Sequence, residues 1–82
     1  MDKNELALRL NTLLAEEFEV EAEAITPDAN IKSTLMLDSL SLVDMVALIE
    51  SAFGVSVKGT EAASVQTFGA LYDFIYDRMQ SK

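Results

Sequence analysis

The chain has 82 residues, half of them hydrophobic, with 14 acidic side chains against 6 basic ones and a net charge of −8. That is one domain over residues 1–82, close to the lower size for folding without metal or disulfide and too small for a large catalytic cleft. The charge argues against binding nucleic acid or an anionic membrane. There is no cysteine to build a disulfide framework, no apolar run of membrane-spanning length, and no signal-peptide pattern at the acidic N-terminus, so the chain is expected to be cytoplasmic and complete.

Asp2 with Glu5 three residues later reads as a capping box. Leu6, Leu10, Leu13, Leu14 and Phe18 then recur at helical spacing, which predicts a first helix over about residues 3–18 with its apolar stripe inward. Leu8 points off that stripe and is expected to be exposed. From Glu19 to Leu37 the helical period lapses. Thr26-Pro27-Asp28 supplies turn chemistry, and Val20, Ile25, Ile31 and Leu35 are spaced as anchors of a long packed connection in which Pro27 opens one short helical turn. Glu16, Glu17, Glu19, Glu21 and Glu23 make the densest acidic cluster; their alternation matches no calcium loop, so a solvated surface and no functional metal are expected.

A second helix is expected over about residues 39–53, with Leu42, Met45, Val46, Ile49 and Phe53 on the core face and Gly54 as its stop. Val55-Ser56-Val57 reads as a linker packed on the bundle, since two β-branched residues make no sheet without a partner strand. Thr60 caps a short third helix over Glu61–Ser64, and Thr67 caps a final helix that turns Phe68, Leu71, Tyr72, Ile75 and Met79 to one side. Gly69 and the polar tail Gln80-Ser81-Lys82 predict lower stability and a frayed end. The sum is an all-α fold, a small four-helix bundle with a long loop between helices 1 and 2 and a short third helix.

Asp38 precedes the second helix at a preferred N-cap position, where its carboxylate accepts backbone N–H groups and complements the helix dipole. Ser39 then falls in the first turn, at the exposed end. The N–H groups there lack intrahelical partners and favour anionic oxygen, so a phosphate ester on the Ser39 hydroxyl meets donors already in place. Capping alone is the simpler account of an Asp-Ser pair. Leu40, Val43, Asp44, Ala47 and Ser51 lie opposite the core stripe, which puts two aliphatic side chains outward beside the serine. No Lys or Arg occurs between Lys32 and Lys58, while Asp38, Asp44 and Glu50 do, so a negative field surrounds the apolar strip and steers basic partners to it. The chain has no histidine, and nothing pairs a lysine with Ser39 as a base; catalysis by this serine is not expected, and the chain reads as no enzyme.

Leu35, Asp38, Ser39, Leu40, Val43, Asp44, Glu50, Phe53, Gly54 and Val55 resemble the acyl carrier proteins of fatty-acid and polyketide synthesis, over nearly the whole chain. The resemblance implies that Ser39 carries 4′-phosphopantetheine, derived from coenzyme A, whose thiol holds an acyl group as a thioester. It implies that Asp38, Leu40, Val43, Asp44, Ala47 and Glu50 dock the partner enzymes, namely a phosphopantetheinyl transferase and the acyl-transferring and synthase enzymes with basic docking patches. A freestanding monomer is expected. The resemblance also suggests that Ala47, Ala52, Ala63 and Ala70, with the adaptable Met45, let the bundle open to receive an acyl chain, although ordinary close packing accounts for them too.

The chain departs from the family in three places. Met36 stands where a glycine is usual, so positive φ is reached less cheaply there. Ser41, Ser51 and Ala52 replace expected acidic residues, and Lys58-Gly59-Thr60-Glu61-Ala62-Ala63 is less acidic than usual. These departures suggest a specialised carrier. Two other functions use the same residues: a carrier of aminoacyl or peptidyl groups, and an unmodified helical interaction module in which Ser39 only caps.

Overall fold

The computed structural model describes residues 2–80 and contains five helices: α1 (Lys3–Phe18), α2 (Ile31–Leu35), α3 (Ser39–Phe53), α4 (Gly59–Ser64) and α5 (Phe68–Gln80). A 3-10 turn at Ala22–Ala24 follows α1. Residues 81 and 82 of the expected frayed tail lie outside the described residues. The first and second of the expected helices have the bounds expected of them, and the last begins directly after its expected Thr67 cap, because each carries a stripe long enough to bury. Leu6, Leu10 and Leu14 of α1, Met45, Val46, Ile49 and Phe53 of α3, and Phe68, Leu71, Tyr72 and Ile75 of α5 form one core. α1 packs on α5, and α3 on α4.

Leu13, Phe18, Leu42 and Met79, expected in the core, are only partly buried at its margin. The bundle is small enough that a helix in it has neighbours on only part of its circumference. Leu8 is exposed, as its position off the stripe required. The phenol of Tyr72 crosses from α5 to donate to Asn11 Oδ1 on α1, which gives a buried polar group its partner. Lys3 pairs with Asp73 at 2.5 Å and lies over the Tyr76 ring, joining the outer edges of the same two helices.

The connection over residues 19–37 is packed: of its four expected anchors, Ile25, Ile31 and Leu35 are buried and Val20 is partly buried. Its short helix is misplaced in the sequence reading. The Ala29 N–H donates to Thr26 O at 3.0 Å, so Pro27 and Asp28 form a tight turn and open no helix. The helical turn begins four residues later, where Asn30 Oδ1 accepts the Ser33 N–H at 2.9 Å and caps α2. The turn is then stapled to the start of α5. Ile31 N–H reaches Gln66 O at 2.9 Å, Phe68 N–H reaches Ala29 O at 3.3 Å and Gly69 N–H reaches Pro27 O at 3.0 Å. A Cβ on Gly69 would stand 3.1 Å from Pro27 O; the glycine that weakens α5 in isolation is what lets this turn approach.

α4 also starts earlier than Thr60 capping implies. Its N-cap is Lys58, and Lys58 N–H donates to Glu61 Oε1 at 3.1 Å. Thr60 is inside the helix, because Glu61 at N3 accepts the Lys58 N–H and sets the start two residues before Thr60. Arg78 of α5 clasps this element: its guanidinium donates to Ser56 O at 2.9 Å, pairs with Glu61 and stacks 4.8 Å from the Phe74 ring. Those bonds to Glu61, that from Lys58 N–H foremost, hold its carboxyl below the usual range.

Three helices end in left-handed residues: Glu19 after α1 (φ 55°), Met36 after α2 (φ 55°) and Gly54 after α3 (φ 66°). Only the last is a glycine. At Met36 the turn is enforced by two donors on one acceptor, since the Met36 and Leu37 N–H groups both bond Lys32 O. Buried Leu35 and half-buried Leu37 hold the flanks. A left-handed side-chain residue costs roughly 1–2 kcal/mol, against about 0.5–1 kcal/mol of extra chain entropy for glycine. Met36→Gly is therefore expected to raise stability by up to about 1 kcal/mol in urea melts.

Where α1 ends against α3, the carboxylates of Glu17 and Asp44 face each other within hydrogen-bond reach, and this contact raises the Glu17 pKa. The folded state then binds the Glu17 proton more tightly than the unfolded chain does. Stability from this source is complete at low pH and is lost as pH rises through and just above the ordinary carboxylate range. Glu17→Gln is expected to have a higher urea midpoint than wild type at pH 7, with the difference closing below about pH 4.

Candidate functional site: the start of helix α3

Asp38 adopts extended backbone (φ −108°, ψ −171°), and its Oδ1 accepts the Ser41 N–H at 2.8 Å. The Leu42 N–H bonds Asp38 O at 2.9 Å, closing the first turn. The Ser41 backbone bond, helped by the Ser41 side chain, holds the Asp38 carboxyl below its usual range. Asp38 is thus a charged cap near neutral pH. Ser39 is the first residue of α3 and is exposed. Among the described residues no hydrogen bond holds its hydroxyl, so the oxygen faces solvent at the positive end of a 15-residue helix, where N–H donors favour an anion.

The outward face of α3 is as the helical spacing predicts. Leu40 is 82% and Val43 65% exposed. With Ser41, Asp44 and Ala47 they line an open groove of about 370 Å³. Met36, at 84% exposure, stands just before this face. The helix therefore brings together five of the six residues expected to dock partners or flank the serine: Asp38 at the cap, and Leu40, Val43, Asp44 and Ala47 along the groove. Glu50 has another task. It is half-buried, and its Oε2 accepts the Val57 N–H at 2.8 Å, so its charge anchors the linker before α4. Nothing in the residue pattern announces that bond, because residues 50 and 57 meet only once the linker folds back.

On the other side of the serine is a second cavity of about 290 Å³, lined by Lys32, Leu37, Asp38, Ser39 and Leu42. Leu42, expected wholly in the core, is half-buried because one side of it forms this wall. Lys32 is the residue that sequence reasoning missed. It lies seven positions before Ser39, in a stretch with no helical period, and only α2 and its left-handed end bring the two together. A phosphodiester on Ser39 thus fits the residues present: the open helix end supplies donors, Lys32 a cation, and Leu37 with Leu42 apolar walls for the adjoining carbon chain. Among the described residues no group of three or more acidic side chains could hold a metal ion, and no helix is long and apolar enough to cross a membrane.

Comparison with known proteins agrees with this geometry. The family described as the phosphopantetheine attachment site matches residues 9–75. The chain is 32% identical to the acyl carrier protein of Saccharopolyspora erythraea, over 94% of this chain and 81% of that one. It is 34% identical to the acyl carrier protein of Treponema pallidum, over 93% of this chain and 97% of the other. The solved structure of the acyl carrier protein from Enterococcus faecalis superposes with a TM-score of 0.78 at 29% identity, covering 95% of this chain and 99% of that one. A match spanning most of the chain and a shared fold leave one assignment: the chain belongs to the acyl carrier protein family, whose members bear covalently attached 4′-phosphopantetheine.

Proposed function

We propose that Ser39 takes the 4′-phosphopantetheine group and that the loaded protein carries acyl intermediates between enzymes of fatty-acid, lipid or polyketide-type synthesis. One observation carries the assignment of the residue: Ser39 is a solvent-facing hydroxyl on the first residue of α3, beside an ionised cap and an open cavity. The prosthetic group supplies a mobile thiol, which this cysteine-free chain does not have. The chain's own residues hold and present it. Asp38 fixes the helix start, so the attachment oxygen keeps one orientation relative to the groove. With no histidine to act as a base, the serine depends on a transferase for its activation, in keeping with a carrier that performs no catalysis itself.

Leu40, Val43 and Ala47 offer the groove as an apolar seat for those enzymes, with Asp38 and Asp44 as its charged rim. A complementary surface is apolar at its centre and basic at its edge. Glu50 adds to the negative field of this face while holding the linker. The protein acts as a cytoplasmic monomer, its net charge of −8 opposing self-association. The less acidic α3 and α4, relative to the family's usual pattern, favour a specialised set of partners.

Incubation with coenzyme A and a broad-specificity phosphopantetheinyl transferase is expected to add one phosphopantetheine to the intact mass of wild type and none to Ser39→Ala. A gain that survives in Ser39→Ala, or no gain in wild type with several transferases, would contradict the assignment. In the same reaction Leu40→Ala is expected to raise the KM for the carrier by about five-fold or more, the ordinary cost of truncating an interface anchor. Asp44→Lys is expected to raise it more at low salt than at high salt, the signature of lost steering.

A further inference from the structure

Lys32 and Asp38 are the two charged residues that line the cavity containing Ser39, and they differ in what they have left to bind. The Asp38 carboxylate is held by the Ser41 N–H as the helix cap. Lys32 enters neither of the ion pairs formed among the described residues, which are Lys3 with Asp73 and Arg78 with Glu61. Lys32 therefore lines the Ser39 cavity outside both of these ion pairs, on a long stem that can lie along Leu37 and Leu42. The backbone that sets it there is costly. Met36 occupies the left-handed region so that α2 can end and the chain can turn directly into Asp38 and Ser39.

We propose that Lys32 is the resident counter-charge of the phosphodiester on Ser39, and that the cavity walled by Leu37 and Leu42 seats the branched, methyl-bearing carbons next to that phosphate. The inference rests on Ser39 being the attachment residue. A phosphodiester is a strong acid and keeps its single negative charge near neutral pH, and the Asp38 carboxylate nearby opposes a second anion. Lys32 offsets that repulsion, while the first N–H groups of α3 supply hydrogen bonds. The apolar walls exclude part of the water that would otherwise screen the pair. The arm then leaves the protein on the α2 side of the serine, opposite the groove of Leu40, Val43 and Ala47. The partner seat stays open while the arm is at rest.

The test compares phosphopantetheine-loaded wild type, Lys32→Met and Lys32→Arg by ³¹P NMR and by NOEs from the arm's methyl groups to the methyls of Leu37 and Leu42. Lys32→Met keeps the stem and removes the charge. The wild type is expected to show these NOEs and a ³¹P shift displaced from that of a loaded serine peptide. In Lys32→Met the NOEs should fall about two- to five-fold, the range for losing a solvent-exposed ion pair, and the ³¹P shift should move towards the peptide value. Lys32→Arg should restore both. A loaded wild type without the NOEs, or a ³¹P shift indifferent to Lys32→Met, overturns the role of Lys32 and leaves the attachment intact. A wild type that never loads overturns the attachment itself.

Discussion

The bond from the Ser41 N–H to the Asp38 carboxylate, 2.8 Å long, sets where α3 begins, and the geometry around Ser39 follows from that start. A helix that began a residue later would leave Ser39 in the preceding turn; one that began earlier would carry its oxygen around the axis, away from the exposed end. The same hydrogen bond favours the ionised form of the cap, so this contact also keeps a negative charge beside the Ser39 oxygen. Site geometry and site electrostatics are here one interaction.

That start is upheld from both sides. Downstream, Met45, Val46, Ile49 and Phe53 are buried in the core, which fixes the rotation of α3 about its axis and so decides that Leu40, Val43 and Ala47 face outward. Upstream, α2 is pinned through Ile31, whose side chain is buried and whose N–H bonds Gln66 O. The left-handed residue at Met36 joins the two constraints. Its strain is tolerated because Lys32 O collects two backbone donors there and the residues on either side are held by packing, a common way for local cost to be retained next to a working site.

Charge is distributed unevenly over the same scaffold. On the groove side of α3 the Asp44 carboxylate faces Glu17, a like-charge contact that opposes folding at neutral pH and leaves the groove's rim negative. Around α4, by contrast, opposite charges meet: Glu61 binds Lys58 N–H and Arg78, and Arg78 also reaches Ser56 O. The groove side of α3 thus bears like charges, and the charges around α4 pair with one another. That division leaves a negative field along one face of α3 and a fastened structural element at α4.

Much of this was legible in the residues alone. α1, α3 and α5 announce themselves because their apolar stripes are long enough to show the 3.6-residue period, and Asp38, Gly54 and Thr67 mark ends by local chemistry that depends on only a few neighbouring residues. Ser39, Leu40 and Val43 could be placed outside because a helix with one buried face must present the other. The tertiary structure decided what pairs distant positions. α2 spans five residues, too few to show a period, and it forms because Asn30 caps it and the start of α5 holds its backbone. Lys32 therefore gave no sign that it shares a cavity with Ser39, and Glu50 none that its carboxylate holds Val57. Such contacts arise from chain reversal, and the residues that make them are ordinary until the fold brings them within bonding distance.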